Sequence, residues 1–156
     1  MKGSRARGFT LIEMLVVIVI IMILAGFLLP TVMRAICNAR SGNMEALLSS
    51  LEQAAKAYQL DNADYPQSNA NFDSAPLASA LRKATARHGV YFEFKESHLD
   101  TAGNIVNLVW PSEDTVKYRN NYMIKDKSTK GLHNKNSVDL WCKGCDKEPE
   151  SVNNWD

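Results

Sequence analysis

The sequence predicts an α+β protein in which one long N-terminal helix packs its second half against a small antiparallel sheet. Three observations carry that prediction. An apolar run from Phe9 to Leu29 contains only two polar side chains, Thr10 and Glu13. Further on, Met44, Leu47, Leu48, Leu51, Ala54, Ala55 and Tyr58 recur at the spacing of one helical face. Two later segments, "VYFEFKE" and "NIVNLVW", read as strands on either side of the turn-forming "DTAGN". The 156 residues suffice for one modest domain and an anchor. With 18 Lys and Arg against 17 Asp and Glu, the net charge of +1 argues for neither a polyanion partner nor an acidic solvating tail.

The first run is long enough to span a bilayer, because about 20 helical residues at ~1.5 Å each cover a hydrocarbon core of ~30 Å. Lys2, Arg5 and Arg7 precede it with no acid between them, so the short leader stays cytoplasmic and the remainder faces outward. A secretory signal would have an apolar core of roughly 7–15 residues and a small-residue cleavage box. Here "LLPTVMRAICNAR" follows instead and stays compatible with helix. Glu13 stands out, since an isolated carboxylate in the membrane costs about 2.5–3.5 kcal/mol. It either snorkels to the cytoplasmic face or finds a partner.

Pro30 lacks a backbone N–H, which predicts a kink or a locally melted turn. "NARSGN", with Gly42, weakens the helix without ending it. The stripe from Met44 to Tyr58 is the seam on which a head folds. The helix stops near "LDNADYP", where the residue before Pro66 is pushed out of the helical region. A helix from Phe9 to about Asp61 is on the order of 75 Å long. No small head buries that length, so much of it requires lipid or other copies of the chain.

Within the head, "APLASALRKATAR" places Leu77, Ala80, Leu81 and Ala84 at helical spacing. Val90, Phe92 and Phe94 share one face of the next segment, and a hairpin of it with "NIVNLVW" would cover the Met44 stripe. "NNYMIKD" and "SVDLW" offer one or two further strands. The segment from Lys117 to Lys135 reads mostly as a solvated loop, with no nucleic acid expected. His88, His98 and His133 are scattered, and no catalytic constellation is visible, so no enzyme is expected.

Cys142 and Cys145 form a CxxC with three readings. A zinc site needs two more ligands, and His133 is the only histidine nearby. A thioredoxin-like pair belongs at a helix start inside a βαβ unit, for which there is no sign. An outward-facing head favours a small stapling disulfide between the two cysteines. Cys37, on the long helix, reads as a packing residue.

Gly8 followed by Phe9, with Glu13 four residues beyond and basic residues ahead, resembles the processing signature of type IV prepilins and type II secretion pseudopilins. The resemblance implies a pilin fold and cleavage between Gly8 and Phe9 by prepilin peptidase, with N-methylation of Phe9. It supplies a partner for Glu13, the new α-amino group of Phe9 on a neighbouring subunit; such a pair fixes stagger because leaving either charge alone is penalised. A proline stands where Pro30 does in many members. "DNADYPQ" and the C-terminal stretch resemble the major pseudopilins of type II secretion, Asp139 and Leu140 matching a strand, Gly144 and Asp146 a turn, and Asn154 and Trp155 the close. In those proteins the turn leads into a calcium loop, so Asp146 is the implied calcium ligand, with Glu148 and Glu150 in place of the later acid. Lys147, Pro149 and a shorter loop depart from the pattern.

The implied organisation is a leader of residues 1–8, a transmembrane and filament-core helix of 9–29, its amphipathic continuation over 30–62, and a periplasmic head of 63–156. The implied role is that of a structural subunit, the major pseudopilin, of a type II secretion pseudopilus. It would be inserted in the inner membrane with its N-terminus cytoplasmic and then extracted into a periplasmic homopolymer. Its partners would be membrane lipid before assembly, prepilin peptidase, minor pseudopilins, and an inner-membrane assembly platform with its ATPase. A type IV or competence pilin is the alternative within the family, although such pilins enclose a longer loop between their cysteines. A membrane-anchored periplasmic redox or zinc-binding CxxC domain is the alternative from another class.

Overall fold

The computed structural model describes residues 8–83, 89–122, 131–145 and 150–155. Helix α1 runs from Leu11 to Asn62 and continues through Pro30. The turn around Pro30 therefore stays helical; the Thr31 hydroxyl donates back to the Leu28 carbonyl at 2.7 Å. The chain falls into two compact units, residues 1–36 and 37–156, and α1 contributes to both.

In the first unit every described residue from Gly8 to Ile36 is exposed. α1 is long and apolar enough to cross a membrane, by length and composition. In the second unit the predicted stripe becomes the core: Met44, Leu47, Leu48, Leu51, Ala54 and Ala55 are buried, and Tyr58 packs against them half-buried. The helix ends where the polar run predicts. Ala63 turns into the left-handed region (φ 59°), and Tyr65 and Pro66 are buried beneath the sheet. The Tyr118 hydroxyl donates to the Pro66 carbonyl at 2.5 Å, and Asn120 Nδ2 donates to the Tyr65 carbonyl at 3.2 Å.

Helix α2, Ala75–Arg82, starts with Pro76 in its first turn and buries Leu77, Ala78 and Leu81. It is shorter than "APLASALRKATAR"; residues 84–88, including Ala84 and His88, lie outside the described residues. Three strands form one antiparallel sheet in the order β1 (Lys117–Asn120), β2 (Val138–Cys142), β3 (Val152–Asn153). Tyr118, Val138, Leu140, Cys142 and Val152 face the core and complete it with Ile105, Val109 and Val116.

The strand predictions need correction. "VYFEFKE" and "NIVNLVW" do not form a hairpin ladder. The isolated bridges of the second segment go to residues outside the first, Ile105 to Leu99 and Val106 to Thr115. The turn between them is present: Gly103 (φ 85°) donates to the Asp100 carbonyl at 3.1 Å, and Asp100 N–H to that of Asn104 at 2.9 Å. The ladder fails because Ile105, Val106 and Asn107 are buried in succession, so the segment does not alternate as a half-buried strand does. Side chains hold its backbone instead, Ile105 N–H donating to Ser74 Oγ at 2.8 Å and Val109 N–H to Asn107 Oδ1 at 2.9 Å. Phe92 and Phe94 are half-buried against each other, with ring centroids 4.7 Å apart.

The predicted loop from Lys117 to Lys135 opens instead with β1. Its alternation of buried Tyr118 and Asn120 with half-buried Lys117 and Arg119 is a strand pattern disguised by charge. Of "NNYMIKD", Asn120 closes β1, Asn121 and Tyr122 follow, and 123–126 lie outside the described residues, whereas "SVDLW" falls on β2.

Candidate functional site

The first candidate site is the start of α1. Gly8, Phe9 and Thr10 are non-helical and exposed, so the Gly8–Phe9 peptide bond is not tied up in helix hydrogen bonds. Thr10 and Glu13 then close a reciprocal pair. Thr10 N–H and its hydroxyl both donate to Glu13 Oε2, at 2.8 and 2.7 Å, while Glu13 N–H donates to Thr10 Oγ1 at 3.3 Å. This is a capping box, which satisfies helix donors that have no intrahelical partner and places a carboxylate at the positive end of the helix. In a single chain Glu13 therefore already has a local partner. The signal was legible as Thr-x-x-Glu ahead of an apolar run, but the sequence reading looked only for a cation.

Beyond the cap, twenty large apolar side chains between Phe9 and Ile36 are exposed. Covering them is worth on the order of 30 kcal/mol at ~1.5 kcal/mol or more per side chain. That exceeds the 5–15 kcal/mol that stabilises a typical domain, so this surface requires lipid or other protein. Gly8 has no neighbour within 4 Å of an added Cβ, so nothing in the chain itself demands glycine there.

The second candidate site is the C-terminal loop, where the disulfide prediction is overturned. Cys145 pairs with Cys37, 108 residues away, and Cys142 is a free, buried thiol. The strand period explains the switch. Cys142 is the last inward residue of β2 after Val138 and Leu140, so its side chain enters the core. Cys145 lies past the strand end, with Cys37 of α1 at a Cα separation of 5.8 Å. Cys37 is thus a staple, not simply a packing residue. The paired redox reading loses its basis, since the two CxxC cysteines are in different states, and so does the zinc reading, because Cys145 is bonded to Cys37 and offers no thiolate.

The backbone between the cysteines is clamped independently of sulfur. Asn107 Nδ2 donates to the Lys143 carbonyl at 2.8 Å, and Trp110 Nε1 to that of Gly144 at 2.7 Å. Lys143 N–H donates to Asp114 Oδ2 at 2.9 Å, and Gly144 N–H to Ser151 Oγ at 2.7 Å. A Cβ at Gly144 would stand 2.6 Å from that hydroxyl, so any other residue there must displace the Ser151 side chain and its hydrogen bond.

Asp139 is fully buried on β2, held by Arg119 Nη2 at 2.6 Å and by Asn134 N–H at 2.8 Å. Burial alone would raise its carboxyl. Hydrogen bonds from Asn121, Asn134, Arg119 and His133 outweigh that and hold it below the usual carboxylate range. Arg119 also lies over the rings of Phe72 and Trp141, at 5.5 and 5.6 Å. The basic character of β1 is therefore spent inside the fold.

Of the implied calcium ligands, Asp146 and Glu148 lie outside the described residues. Glu150 is exposed with φ 68°, and its carbonyl accepts from Asn153 Nδ2 at 3.0 Å. Among the described residues no three His, Cys, Asp or Glu side chains gather as a metal site.

An apolar helix opened by a capped Gly-Phe start, and closed onto a small sheet by its second half, defines a pilin-like subunit. The family described as a prokaryotic N-terminal methylation motif matches residues 3–29. The type II secretion system core protein G of Escherichia coli (strain K12) is 36% identical over 110 residues, 70% of this chain and 76% of that protein. That of Aeromonas hydrophila is 38% identical over 116 residues, 72% and 79% of the two chains. The type IV wide pilus major component PilA4 of Thermus thermophilus is 34% identical over 105 residues, 67% and 79%. No solved structure matches the chain. The chain belongs to the family of the type II secretion system core protein G, the major pseudopilins.

Proposed function

We propose that this chain is the structural subunit of a type II secretion pseudopilus, a homopolymer in which the exposed half of α1 is covered by the same half of other copies. The observation that carries the reading is the contrast along one helix: residues 8–36 bury nothing, whereas Met44 to Tyr58 complete a folded core. A subunit built this way has a finished outer part and an unfinished apolar part, which is what a filament with a helical core requires.

Before assembly the apolar half resides in the inner membrane, with residues 1–8 cytoplasmic and the head periplasmic. Lys2, Arg5 and Arg7 support that orientation. The methylation motif supports removal of residues 1–8 and methylation of Phe9. The new amine then lies one residue from Thr10, whose N–H already donates to Glu13. Glu13 has two successive roles in this scheme: it caps its own helix in the membrane, and on assembly it meets a Phe9 amine. A pair of that kind adds little net stability but makes a wrong stagger costly. Minor pseudopilins, an assembly platform and its ATPase complete the set of proposed partners.

The pilus relative makes a surface pilus the second reading. Deleting the gene in its host and restoring it in trans separates the two. Exoproteins retained in the periplasm, with surface pili intact, support the pseudopilus; lost pili with normal secretion refute it.

A further inference from the structure

The chain carries three cysteines, and its fold treats them unequally. Cys37 and Cys145 are half-buried at the edge of the core and bonded, while Cys142 is 2% exposed. In an unfolded chain the order of preference is the reverse. Closing the loop between Cys142 and Cys145 instead of the 108-residue loop is favoured on the order of a hundredfold by chain entropy, before the stiffness of so short a loop is counted. The CxxC pair is thus the kinetic trap, and the observed pairing needs something to select it.

The selecting elements are visible without the sulfurs. Asn107, Trp110, Asp114 and Ser151 together make four hydrogen bonds to the Lys143–Gly144 backbone, which sets Cys145 opposite Cys37. The same strand register that pairs Cys142 with Val152 turns its side chain into the core. To reach Cys145 it would have to leave that register and break the Lys143–Asp114 contact.

We propose that this chain is a substrate of a protein-disulfide oxidant that acts after the head has folded, and that the fold directs oxidation to Cys37 and Cys145 by burying Cys142. The proposal rests on the head lying in an oxidising compartment. In the reaction one of the two accessible thiolates attacks the oxidant's disulfide to give a mixed disulfide, and the other displaces it. The chain loses two electrons and two protons, and the oxidant leaves as a dithiol. Burial, and then the Asp114 charge, push the Cys142 thiol up to about 12, so at neutral pH it supplies almost no thiolate to compete.

The test uses the reduced full-length chain in detergent micelles, with near-UV circular dichroism recording whether the head is folded before oxidation. Glutathione disulfide is added either to this sample or to one in guanidinium chloride; free thiols are alkylated and the linked peptides mapped by mass. The proposal predicts Cys37–Cys145 with alkylated Cys142 from the folded sample, and mostly Cys142–Cys145 from the denatured one. In Cys142→Ala the denatured sample should lose the short-loop product while the folded sample is unchanged. A folded sample that incorporates Cys142, a reduced chain without a folded head, or identical products from both samples would each overturn it. Because connectivity is read in vitro, failure here is distinct from failure of the pseudopilus reading.

Discussion

Reducing the Cys37–Cys145 bond gives a quantitative test of how the head is held together. The bond closes a loop of 108 residues in sequence. In the chain-entropy treatment a loop of that size restricts the unfolded state by about 5 kcal/mol, with measured losses usually about 2–5 kcal/mol. The unit it closes runs from residue 37 to 156. For a domain of that size the unfolding entropy is on the order of 0.25 kcal/mol/K, so the full loss lowers Tm by up to about 20 °C and a typical one by about 8–20 °C. The assay is thermal unfolding of the full chain in detergent micelles, followed by near-UV circular dichroism with and without a phosphine reductant. Cys37→Ser, Cys145→Ser and the double variant should all unfold within about 2 °C of one another, because each removes the same bond and the effects cannot add. A shift on reduction below about 3 °C, or single-variant losses that sum in the double variant, would refute the staple as drawn.

Glu13→Leu should insert in the membrane normally yet reduce sheared or purified filament by tenfold or more, since the stagger-setting charge is gone; normal filament yield removes that role. Arg119→Ala strands the buried Asp139 carboxylate and should cost about 3–5 kcal/mol of unfolding free energy in denaturant titration, whereas a cost under about 1 kcal/mol would show that the three amide donors suffice. Asp139 sits below the ordinary carboxylate range in the folded state, so its contribution is complete above about pH 4 and is lost as pH falls through the folded value. Acid unfolding of Asp139→Asn should accordingly be shallower below pH 4; an unchanged acid limb contradicts the assignment. Because the entrance to the C-terminal loop is held by a disulfide and four hydrogen bonds, a calcium chelator should shift Tm by less than about 2 °C. A larger drop would show a structural ion in the chain, as the resemblance implies.

The long helix was legible because its signals are local. An apolar run, a face repeating from Met44 to Tyr58 and a polar stop at Asp61–Tyr65 each act over a few residues. The sheet was less legible because its strands are short and charged. β1 reads Lys-Tyr-Arg-Asn, and its cations become compatible with a folded face through the distant acids Asp73 and Asp139 and the Phe72 and Trp141 rings. "NIVNLVW" misled for the opposite reason: its apolar content suits a strand, but Asn107 is consumed by the Lys143 carbonyl and by Asp114. The disulfide escaped sequence reading because proximity along the chain favoured Cys142, while the strand period that turns Cys142 inward required knowing where β2 begins. At the N-terminus the sequence reading sought a cation for Glu13 and missed the nearer partner, Thr10.

Removal of residues 1–8 would make the chain a processed filament subunit, and everything proposed for its function depends on that step. The most direct measurement is the intact mass of the protein purified from the membrane of its own host. The expected mass is that of a chain that starts at Phe9, carries one added methyl group, and is lighter by two hydrogens for the Cys37–Cys145 bond. A mass that retains Met1 to Gly8 would contradict that removal.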